Sequence, residues 1–268
     1  MGMAPLNQLK SQKGLFLVSA FNGLSQTVYG QLGPLFKEVS LQIGIDPLAV
    51  EALKPDWILC PYLQDYIPKA IFEKYRCLVF HPGPAKRGGP SSLARAILQG
   101  ERDFEISVIQ AAQGWDRGPV WASKPLEIIE GSLAKNYRTQ ILPEAASLYR
   151  QAMIHILEGV PPQRIEEPVY QPKISETELA FDWSESAPRI LRKIWAGDNQ
   201  PGALGLLQNK ACRFYGARLG RRTGAPGQVL EEAHGAIQIA CGQGSIWVTR
   251  IEVVQGRKNR AAQILGEP

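Results

Sequence analysis

The sequence predicts an α/β protein in two parts, in which a mainly parallel sheet covered by helices is followed by a small open β-barrel. Three observations support this fold class. Short apolar runs alternate with amphipathic stretches over the first half of the chain, which is typical of a parallel sheet. Four prolines within residues 160–173 predict a stiff, extended linker. From residue 203 onward, short apolar segments are separated by turn residues, as expected for short strands.

The elements of the first part follow from their local patterns. Continuous apolar runs predict buried strands, and amphipathic stretches bounded by proline or glycine predict helices. The predicted strands cover residues 15–20, 39–43, 57–60, 77–80, 105–111 and 120–128, and the predicted helices cover 24–37, 47–54, 68–75, 91–98 and 133–157. Pro143 is expected to divide the last helix, because proline removes a helical hydrogen bond.

The second part is predicted to open with a helix over residues 184–195 that is capped by the Ser184 side chain. Further strands are expected at 212–219, 227–232, 236–240 and 245–251. We therefore expect an N-terminal domain over residues 14–159, a proline-rich linker over 160–183 and a C-terminal domain over 184–268.

Composition excludes several classes of protein. Hydrophobic residues are 44% and charged residues 21% of the chain, which is ordinary for a globular protein and not for a disordered chain or a coiled coil. No apolar run approaches the roughly 18 residues that a membrane span needs, and the first 13 residues lack the apolar core of a secretory signal. The four cysteines form no CxxC pair, which indicates reduced core cysteines in a cytoplasmic protein.

The net charge of +5 belongs entirely to residues 203–268, which hold nine Lys and Arg residues against four acidic ones. A basic module of this kind can serve a polyanion or a phosphate-bearing partner. It can equally be a solvated surface that keeps the protein soluble, and the sequence leaves both interpretations open.

The segment HPGPAKRGGPSS at residues 81–92 carries the densest set of functional candidates. It follows the fourth predicted strand, and ligands of open parallel sheets bind beyond the carboxyl ends of the strands. His81 is therefore expected to face a cleft, with a purely structural histidine as the alternative. Asp116, in the turn GWDRGP at 114–119, is the second candidate. Its alternative is a structural turn aspartate paired with Arg117.

These residues resemble a known family. The segments VFHPG at 79–83, RGGPSS at 87–92 and AILQG at 96–100, followed by DRGPV at 116–120, resemble the two signatures of enzymes that use 10-formyltetrahydrofolate as a formyl donor. The later segments PGA at 201–203, ACGQG at 240–244 and QGRK at 255–258 are similar to the C-terminal barrel of methionyl-tRNA formyltransferases. The likeness runs from about residue 14 onward, and it implies a Rossmann-like formyltransferase fold followed by an OB-like barrel.

Within that superfamily, SAFNGLSQ at 19–26, the His-Pro-Gly loop and GPVWAS at 118–123 resemble the formyl-transfer half of hydrogenase-maturation formyltransferases. The resemblance implies 10-formyltetrahydrofolate as donor and the thiol of coenzyme A as acceptor. Those proteins carry a second, crotonase-like half that releases carbon monoxide. This chain stops at Pro268, so that half is expected as a separate partner chain, as a piece that was cut away, or not at all.

The resemblance also implies roles for individual residues. His81 would donate to the tetrahedral oxyanion or relay a proton, and Asp116 would orient its imidazole. No metal and no covalent enzyme intermediate is needed, and Cys77 is interpreted as a core residue rather than a nucleophile. Contacts to the pterin ring are expected from nine residues. They are Tyr62, Leu63, Leu78, Pro82, Gly83, Ala112, Gln113, Gly114 and Trp115.

The sequence departs from the family at three positions. Val79 stands where the better-known formyltransferases have an asparagine that donates to the oxyanion, and loss of such a donor costs about 10²–10³ in rate. Asn22 and Gln26, after the first strand, are candidates to replace it or to contact the acceptor. Gly88 and Arg95 stand where the maturation proteins lead us to expect Arg and Trp.

Two other functions stay open. The acceptor could be an amine on methionyl-tRNA or on a sugar nucleotide, although few aromatic residues in the barrel disfavour nucleic acid. The chain could also be a non-catalytic folate-binding relative, which Val79 favours. A separate crotonase-like chain or the hydrogenase-maturation machinery would be the expected partner, and no membrane partner is expected.

Overall fold

The computed structural model describes residues 4–198 and 200–265, so the last three residues of the expected C-terminal domain lie outside the described part. The chain divides into two compact units. The first unit comprises the chain up to Ser92 together with Asp103–Glu127 and Arg138–Pro172, and the second comprises Leu93–Arg102, Ile128–Tyr137 and the chain from Lys173 onward. The expected mixed fold, with one parallel-rich sheet and a separate antiparallel sheet, is confirmed.

Of the strands described before residue 173, the six in the main sheet match the apolar runs of the sequence closely, and two short ones were not predicted. In chain order they are β1 (Lys13–Val18), β2 (Glu38–Ile43), β3 (Trp57–Cys60), β4 (Cys77–His81), β5 (Arg87–Gly88), β6 (Asp103–Gln110), β7 (Val120–Glu127) and β8 (Val169–Tyr170). Six of them form one sheet in the order β2-β1-β3-β4-β6-β7. The first four run parallel, and β6 and β7 are antiparallel to their neighbours.

The helices before residue 160 are α1 (Gly23–Leu32), α2 (Pro47–Leu53), α3 (Lys69–Phe72), α4 (Ser92–Gln99), α5 (Leu133–Asn136) and α6 (Leu142–Leu157). A 3-10 helix, Ala4–Ser11, precedes β1. The helix predicted over 24–37 ends early, at Leu32, because Gly33 and Pro34 form a separate 3-10 turn. Pro143 lies in the first turn of α6, and the chain is helical without a break from Leu133 to Leu157, passing through a π-helical segment over Tyr137–Ile141. Pro143 therefore marks a change of helical geometry and does not divide the helix in two.

The core of the first unit is built from the central strands. Leu15 and Leu17 of β1, Ile58 and Cys60 of β3 and Cys77 of β4 are fully buried in one cluster. Alternate residues of a strand point to opposite faces, and the fully buried Tyr149 of α6 lies on the face opposite to this cluster, where its hydroxyl donates to the carbonyl oxygen of Leu78 at 3.2 Å. The strands β1, β3 and β4 are thus buried on both faces, which explains their continuous apolar sequence, whereas β2 at the edge of the sheet is partly exposed.

The second unit contains α7 (Ala187–Ala196), β9 (Ala203–Leu207), β10 (Lys210–Leu219), β11 (Val229–Ala233), β12 (Ala236–Ala240), β13 (Ser245–Val253), β14 (Lys258–Arg260) and α8 (Ala261–Leu265). Its strands pair antiparallel in the order β11-β12-β13-β10-β9, with β14 beside β13. Phe214, Ile237, Ile239, Ile246 and Val248 form its buried apolar core.

The prediction that Ser184 caps the helix of this unit is wrong. The Asp182 carboxylate accepts the N–H of Ser184 at 2.8 Å, which holds Ser184 in a turn. The helix α7 begins only at Ala187, with Pro188 in its first turn. Across the described residues, no helix is long and apolar enough to cross a membrane.

Candidate active site

His81 is the last residue of β4, at the carboxyl edge of the parallel strands. Its side chain is only 3% exposed, and its residue lies opposite the buried Ser107 of β6. The loops after β1, β3 and β4 emerge at this same edge, because parallel strands share their direction. The topology therefore brings the segments around residues 20, 62 and 82 to one edge of the sheet.

Both ring nitrogens of His81 face oxygen atoms. Nε2 lies 2.9 Å from the carbonyl oxygen of Arg87, and Nδ1 lies 3.6 Å from Oδ2 of Asp116. A carbonyl oxygen can only accept a hydrogen bond, so Nε2 is the nitrogen that carries the hydrogen. The 3.6 Å separation is longer than a hydrogen bond. The backbone therefore orients the imidazole, and Nδ1 is directed toward the carboxylate.

Asp116 approaches His81 from a turn 35 positions later in the chain. Its backbone has a φ of 52°, a left-handed conformation in which aspartate is enriched, and 17% of its side chain is exposed. Oδ2 also accepts the backbone N–H of Gly89 at 2.8 Å. The loop that carries His81 thus holds the carboxylate as well, and the side chains of the two candidates lie next to each other.

Two glycines of the loop are required by close packing. A Cβ on Gly83 would lie 2.7 Å from Nε2 of His81 and 2.6 Å from Cβ of Ser92. A Cβ on Gly88, where we expected arginine, would lie 2.9 Å from Cβ of Asp116. Such distances are closer than real Cβ atoms adopt. Both glycines let the backbone pass directly against the His81–Asp116 pair.

The proline-rich segment joins the same loop through main-chain bonds. The short strand β8 pairs in parallel with β5, with the Val169 N–H donating to Lys86 at 2.9 Å and the Gln171 N–H donating to Gly88 at 2.8 Å. Gln163 also exchanges two backbone bonds with Val120, at 2.8 and 2.9 Å. Residues expected to be a plain linker are therefore ordered along the first unit up to Pro172.

Asn22 and Gln26 lie at the start of α1, after β1. Asn22 is the N-cap, and its Oδ1 accepts the N–H of Ser25 at 3.1 Å. Gln26 Nε2 donates to the carbonyl oxygen of Phe21 at 2.8 Å. Two strand spacings separate β1 from β4, or about 10 Å. No contact joins either side chain to His81 within the part of the chain that the structure describes. They flank the edge without completing the histidine pair.

The position of Val79 offers no polar group to this edge. Val79 is on the same face of β4 as His81, two residues away, and it packs against the core cluster that contains Cys60 and Cys77.

Burial raises the pKa of the Cys77 thiol to about 12 and raises that of Cys60 well above its ordinary value. The nucleophilic thiolate form of Cys77 is therefore suppressed, in agreement with its interpretation as a core residue.

The three residues expected to form the apolar walls of the pterin site differ in their burial. Tyr62 and Leu63 are partly buried in the loop after β3, where the Ser19 N–H bonds the Tyr62 carbonyl oxygen at 2.7 Å. Leu78, by contrast, is completely buried. It points to the face of β4 opposite to that of His81, because strand residues alternate. Placing Leu78 beside the pterin was an error in the assignment of strand faces. Pro82 is partly buried beside His81.

The segment Ala112, Gln113, Gly114 and Trp115 forms the loop before Asp116, and Trp115 is 44% exposed. Its indole meets the ring of Tyr66 edge-on, with the centroids 5.3 Å apart. The Tyr66 hydroxyl accepts the N–H of Gly114 at 3.2 Å. Sequence reasoning missed Tyr66. Its signal in the sequence was an aromatic residue in the segment between β3 and α3.

Main-chain groups were also missed. The Arg87 carbonyl and the Gly89 N–H hold the histidine and the carboxylate, and backbone atoms carry no sequence signal. Among the residues described, no group of three His, Cys, Asp or Glu side chains could hold a metal ion. The arrangement can orient one imidazole, keep a carboxylate beside it and move a proton between them.

Comparison with known proteins agrees with this fold. The model of the formyl transferase C-terminal domain matches residues 173–267. A methionyl-tRNA formyltransferase of Dichelobacter nodosus is 31% identical over 234 residues, which are 82% of this chain and 72% of that protein. The hydrogenase maturation factor HoxX of Bradyrhizobium diazoefficiens is 28% identical over 89% of this chain and 44% of its own length.

Among solved structures, HypX from Aquifex aeolicus in complex with tetrahydrofolic acid superposes with a TM-score of 0.88 and 31% identity, over 96% of this chain and 47% of that one. The chain belongs to the formyltransferase family. It spans about half the length of HoxX and HypX.

Proposed function

We propose that this protein transfers the formyl group of 10-formyltetrahydrofolate to an acceptor nucleophile, with the thiol of coenzyme A or a related pantetheine as the acceptor. The observation that carries the proposal is that His81 Nδ1 lies 3.6 Å from Asp116 Oδ2. The glycines of the His81 loop let its backbone pack directly against both side chains. The tetrahydrofolate complex of the HypX relative supports the choice of donor.

The chemistry is an acyl transfer. The acceptor thiol adds to the formyl carbon, and the tetrahedral intermediate then collapses with cleavage of the bond between that carbon and N10. His81 accepts the proton of the thiol and returns it to N10, so that tetrahydrofolate and a formyl thioester leave. Proton transfer of this kind contributes about 10²–10⁴ in rate. The Asp116 carboxylate stabilises the transient imidazolium.

The oxyanion needs a donor that Val79 cannot supply. Asn22 uses its Oδ1 as the helix cap, and its Nδ2 has no protein partner among residues 4–198 and 200–265. We assign this amide, at the edge shared with His81, as the replacement donor. Gln26, one turn later on the same helix, is assigned to the acceptor.

The pathway assignment follows the HoxX and HypX relatives. We propose that the protein serves a hydrogenase-maturation system, in which a crotonase-like activity converts the formyl thioester further. That activity would belong to another chain or to a segment beyond the sequence described here.

The test is incubation with 10-formyltetrahydrofolate and coenzyme A, with detection of formyl-coenzyme A by mass. We expect product, a loss of at least 100-fold in His81→Ala, and a loss of at least tenfold in Asp116→Asn. His234→Asn is the control, because His234 is exposed in a left-handed turn that asparagine also tolerates. Unchanged turnover in His81→Ala would refute the assignment, and folate binding without transfer to any acceptor would favour a non-catalytic relative.

One observation favours a second acceptor class, an amine on a nucleic acid. In the C-terminal sheet, Arg218 lies over the ring of Trp247 at 5.1 Å and Lys258 over the ring of Tyr215 at 3.4 Å, while Arg250 is opposite Arg260. Cations interleaved with aromatic rings suit a phosphate backbone. Steep weakening of tRNA binding as salt rises, together with formylation of methionyl-tRNA and not of coenzyme A, would establish this alternative. Formylation of a sugar nucleotide in the same assay would identify the third acceptor.

A further inference from the structure

One carbonyl oxygen in the loop receives two hydrogen bonds. Besides Nε2 of His81 at 2.9 Å, the Arg87 carbonyl accepts the hydroxyl of Ser92 at 2.7 Å. A carbonyl oxygen has two lone pairs and can accept both donors. Ser92 and His81 are each 3% exposed, so water does not readily replace either bond.

The loop has little freedom to turn this carbonyl elsewhere. The backbone on either side of Arg87 is fixed by the β5–β8 ladder, which bonds Lys86 and Gly88. The hydroxyl of the buried Ser107 holds the carbonyl oxygen of Gly83 at 2.9 Å. The position of the Arg87 carbonyl is thus set by the neighbouring backbone, and besides His81 the side chain of Ser92 bonds its oxygen directly.

A fixed carbonyl opposite Nε2 decides which nitrogen of the neutral ring is bare. With the hydrogen on Nε2, the lone pair belongs to Nδ1, which faces Asp116. In the opposite tautomer, the lone pair of Nε2 would face the Arg87 oxygen, and this buried acceptor would lose the hydrogen bond from the ring at a cost. The loop therefore selects a tautomer as well as an orientation.

We propose that Ser92 is a positioning residue which, through the Arg87 carbonyl, holds His81 with Nε2 protonated, so that Nδ1 is the nitrogen that exchanges protons with the reacting groups. The proposal deepens the proposed function, on which its catalytic part rests. The tautomer itself is a property of the folded chain and can be measured without any substrate.

The first experiment records the nitrogen chemical shifts of the histidines in the full chain, at a pH where the rings are neutral. We expect a protonated Nε2 and a bare Nδ1 for His81, with His81→Gln to assign the signal. His155 supplies an internal reference of opposite type, because its Nδ1 lies 2.7 Å from the carbonyl oxygen of Trp121 and must donate to it. A protonated Nδ1 in His81 would overturn the proposal.

The second experiment compares three variants of the full chain. In Ser92→Ala, the tautomer ratio of His81 should shift by about fivefold, the factor that corresponds to one neutral hydrogen bond. kcat should fall by about the same factor, with KM for the donor nearly constant. Ser92→Thr should restore both, because it keeps the hydroxyl. Ser107→Ala removes another buried hydroxyl–carbonyl bond of this loop and should leave the tautomer ratio unchanged.

The outcomes separate the two claims. If the wild-type chain transfers no formyl group but Ser92→Ala shifts the tautomer, the proposed function fails and the positioning role stands. If transfer occurs and Ser92→Ala changes neither the tautomer nor kcat, the positioning role is wrong while the proposed function survives. An equal shift in Ser107→Ala would mean that general loosening of the loop is responsible, which would also overturn the assignment of Ser92.

Discussion

The His81 loop of the first unit and the outer face of the C-terminal sheet both gather polar side chains, but they satisfy them in different ways. In the loop, His81, Ser92 and Ser107 are buried and bond to main-chain carbonyl oxygens. On the sheet, the partly accessible Arg213 and the buried Tyr215 both donate to the partly accessible carboxylate of Glu252. Main-chain partners fix an orientation and suit a reacting group, whereas side-chain networks tolerate exchange of their members.

The largest expected effect comes from crowding the loop. In Gly83→Ala, the new methyl group would press on both the His81 ring and Ser92, and we expect kcat to fall by about 100-fold, in the range of a lost proton-transfer group. Steady-state kinetics of formyl transfer measure it. The control is Gly30→Ala, because a Cβ at Gly30 meets nothing within 4 Å and alanine favours the helix α1. Activity within twofold of wild type in Gly83→Ala would show that the loop can move to accommodate the methyl group. It would contradict the view that main-chain bonds fix the orientation of His81.

A smaller effect is expected from the sheet network. Glu252 accepts Arg213 Nη1 at 3.0 Å and the hydroxyl of Tyr215 at 3.0 Å. Glu252→Gln should lower the free energy of unfolding by about 1 kcal/mol, as measured by denaturant unfolding. Burial and then the Glu252 carboxylate raise the pKa of Tyr215 to about 12. The phenol therefore contributes stability that is present below pH 10 and is lost as pH rises toward 12. In Glu252→Gln this contribution should be smaller, and its loss should be complete at a lower pH.

The matched control for this prediction is Glu231→Gln. Glu231 also pairs with an arginine of the same unit, Arg222, but that pair is more exposed and is expected to contribute little. Equal losses in the two variants would indicate that the Glu252 network has no special contribution.

The smallest effect is a pH dependence. Arg95 Nη1 bonds Glu178 at 2.6 Å, and this bond, with help from Ser175, lowers the pKa of Glu178 to about 2. A lowered carboxyl pKa gives stability that is present above pH 4.5 and is lost as pH falls toward 2. Since Glu178 is 37% exposed, Arg95→Met should cost less than about 1 kcal/mol at pH 7.

Unfolding measured from pH 7 down to pH 3 tests this prediction. The wild-type advantage over Arg95→Met should stay constant down to about pH 4.5 and shrink below it. A constant difference would place the contribution in the packing of the arginine stem and not in its charge. The result would also explain why this chain has Arg95 where tryptophan was expected, since the arginine has a partner within the second unit.

The accuracy of the sequence predictions varied with the range of the interactions involved. The strands Trp57–Cys60 and Ala236–Ala240 match their predicted bounds, because their apolar patterns are local. The strand Ala203–Leu207 and the pairing of Arg87–Gly88 with Val169–Tyr170 were missed. Arg87–Gly88 and Val169–Tyr170 form strands because a distant segment supplies their hydrogen bonds, and two-residue strands have no periodicity to detect. Ala203–Leu207 instead pairs with the neighbouring strand Lys210–Leu219, and its short apolar run was overlooked.

The candidate site shows the same division. His81 and Asp116 were recognised from their motifs, and Gly83 from its place in the loop. Leu78 was misplaced, since it and His81 are on opposite faces of the same strand, and Tyr66 was overlooked. The partners that orient the pair, the Arg87 carbonyl and the Gly89 N–H, are main-chain groups that every non-proline residue has.

The sequence alone determined the α/β class, the two sheets, the histidine and the aspartate, because side-chain chemistry and apolar periodicity are local properties of the sequence. Only the tertiary structure decided that Nδ1 and not Nε2 faces the carboxylate. That choice depends on where one carbonyl oxygen lies, and its position is set by the ladder between residues more than 80 positions apart and by the packing of a glycine against an imidazole.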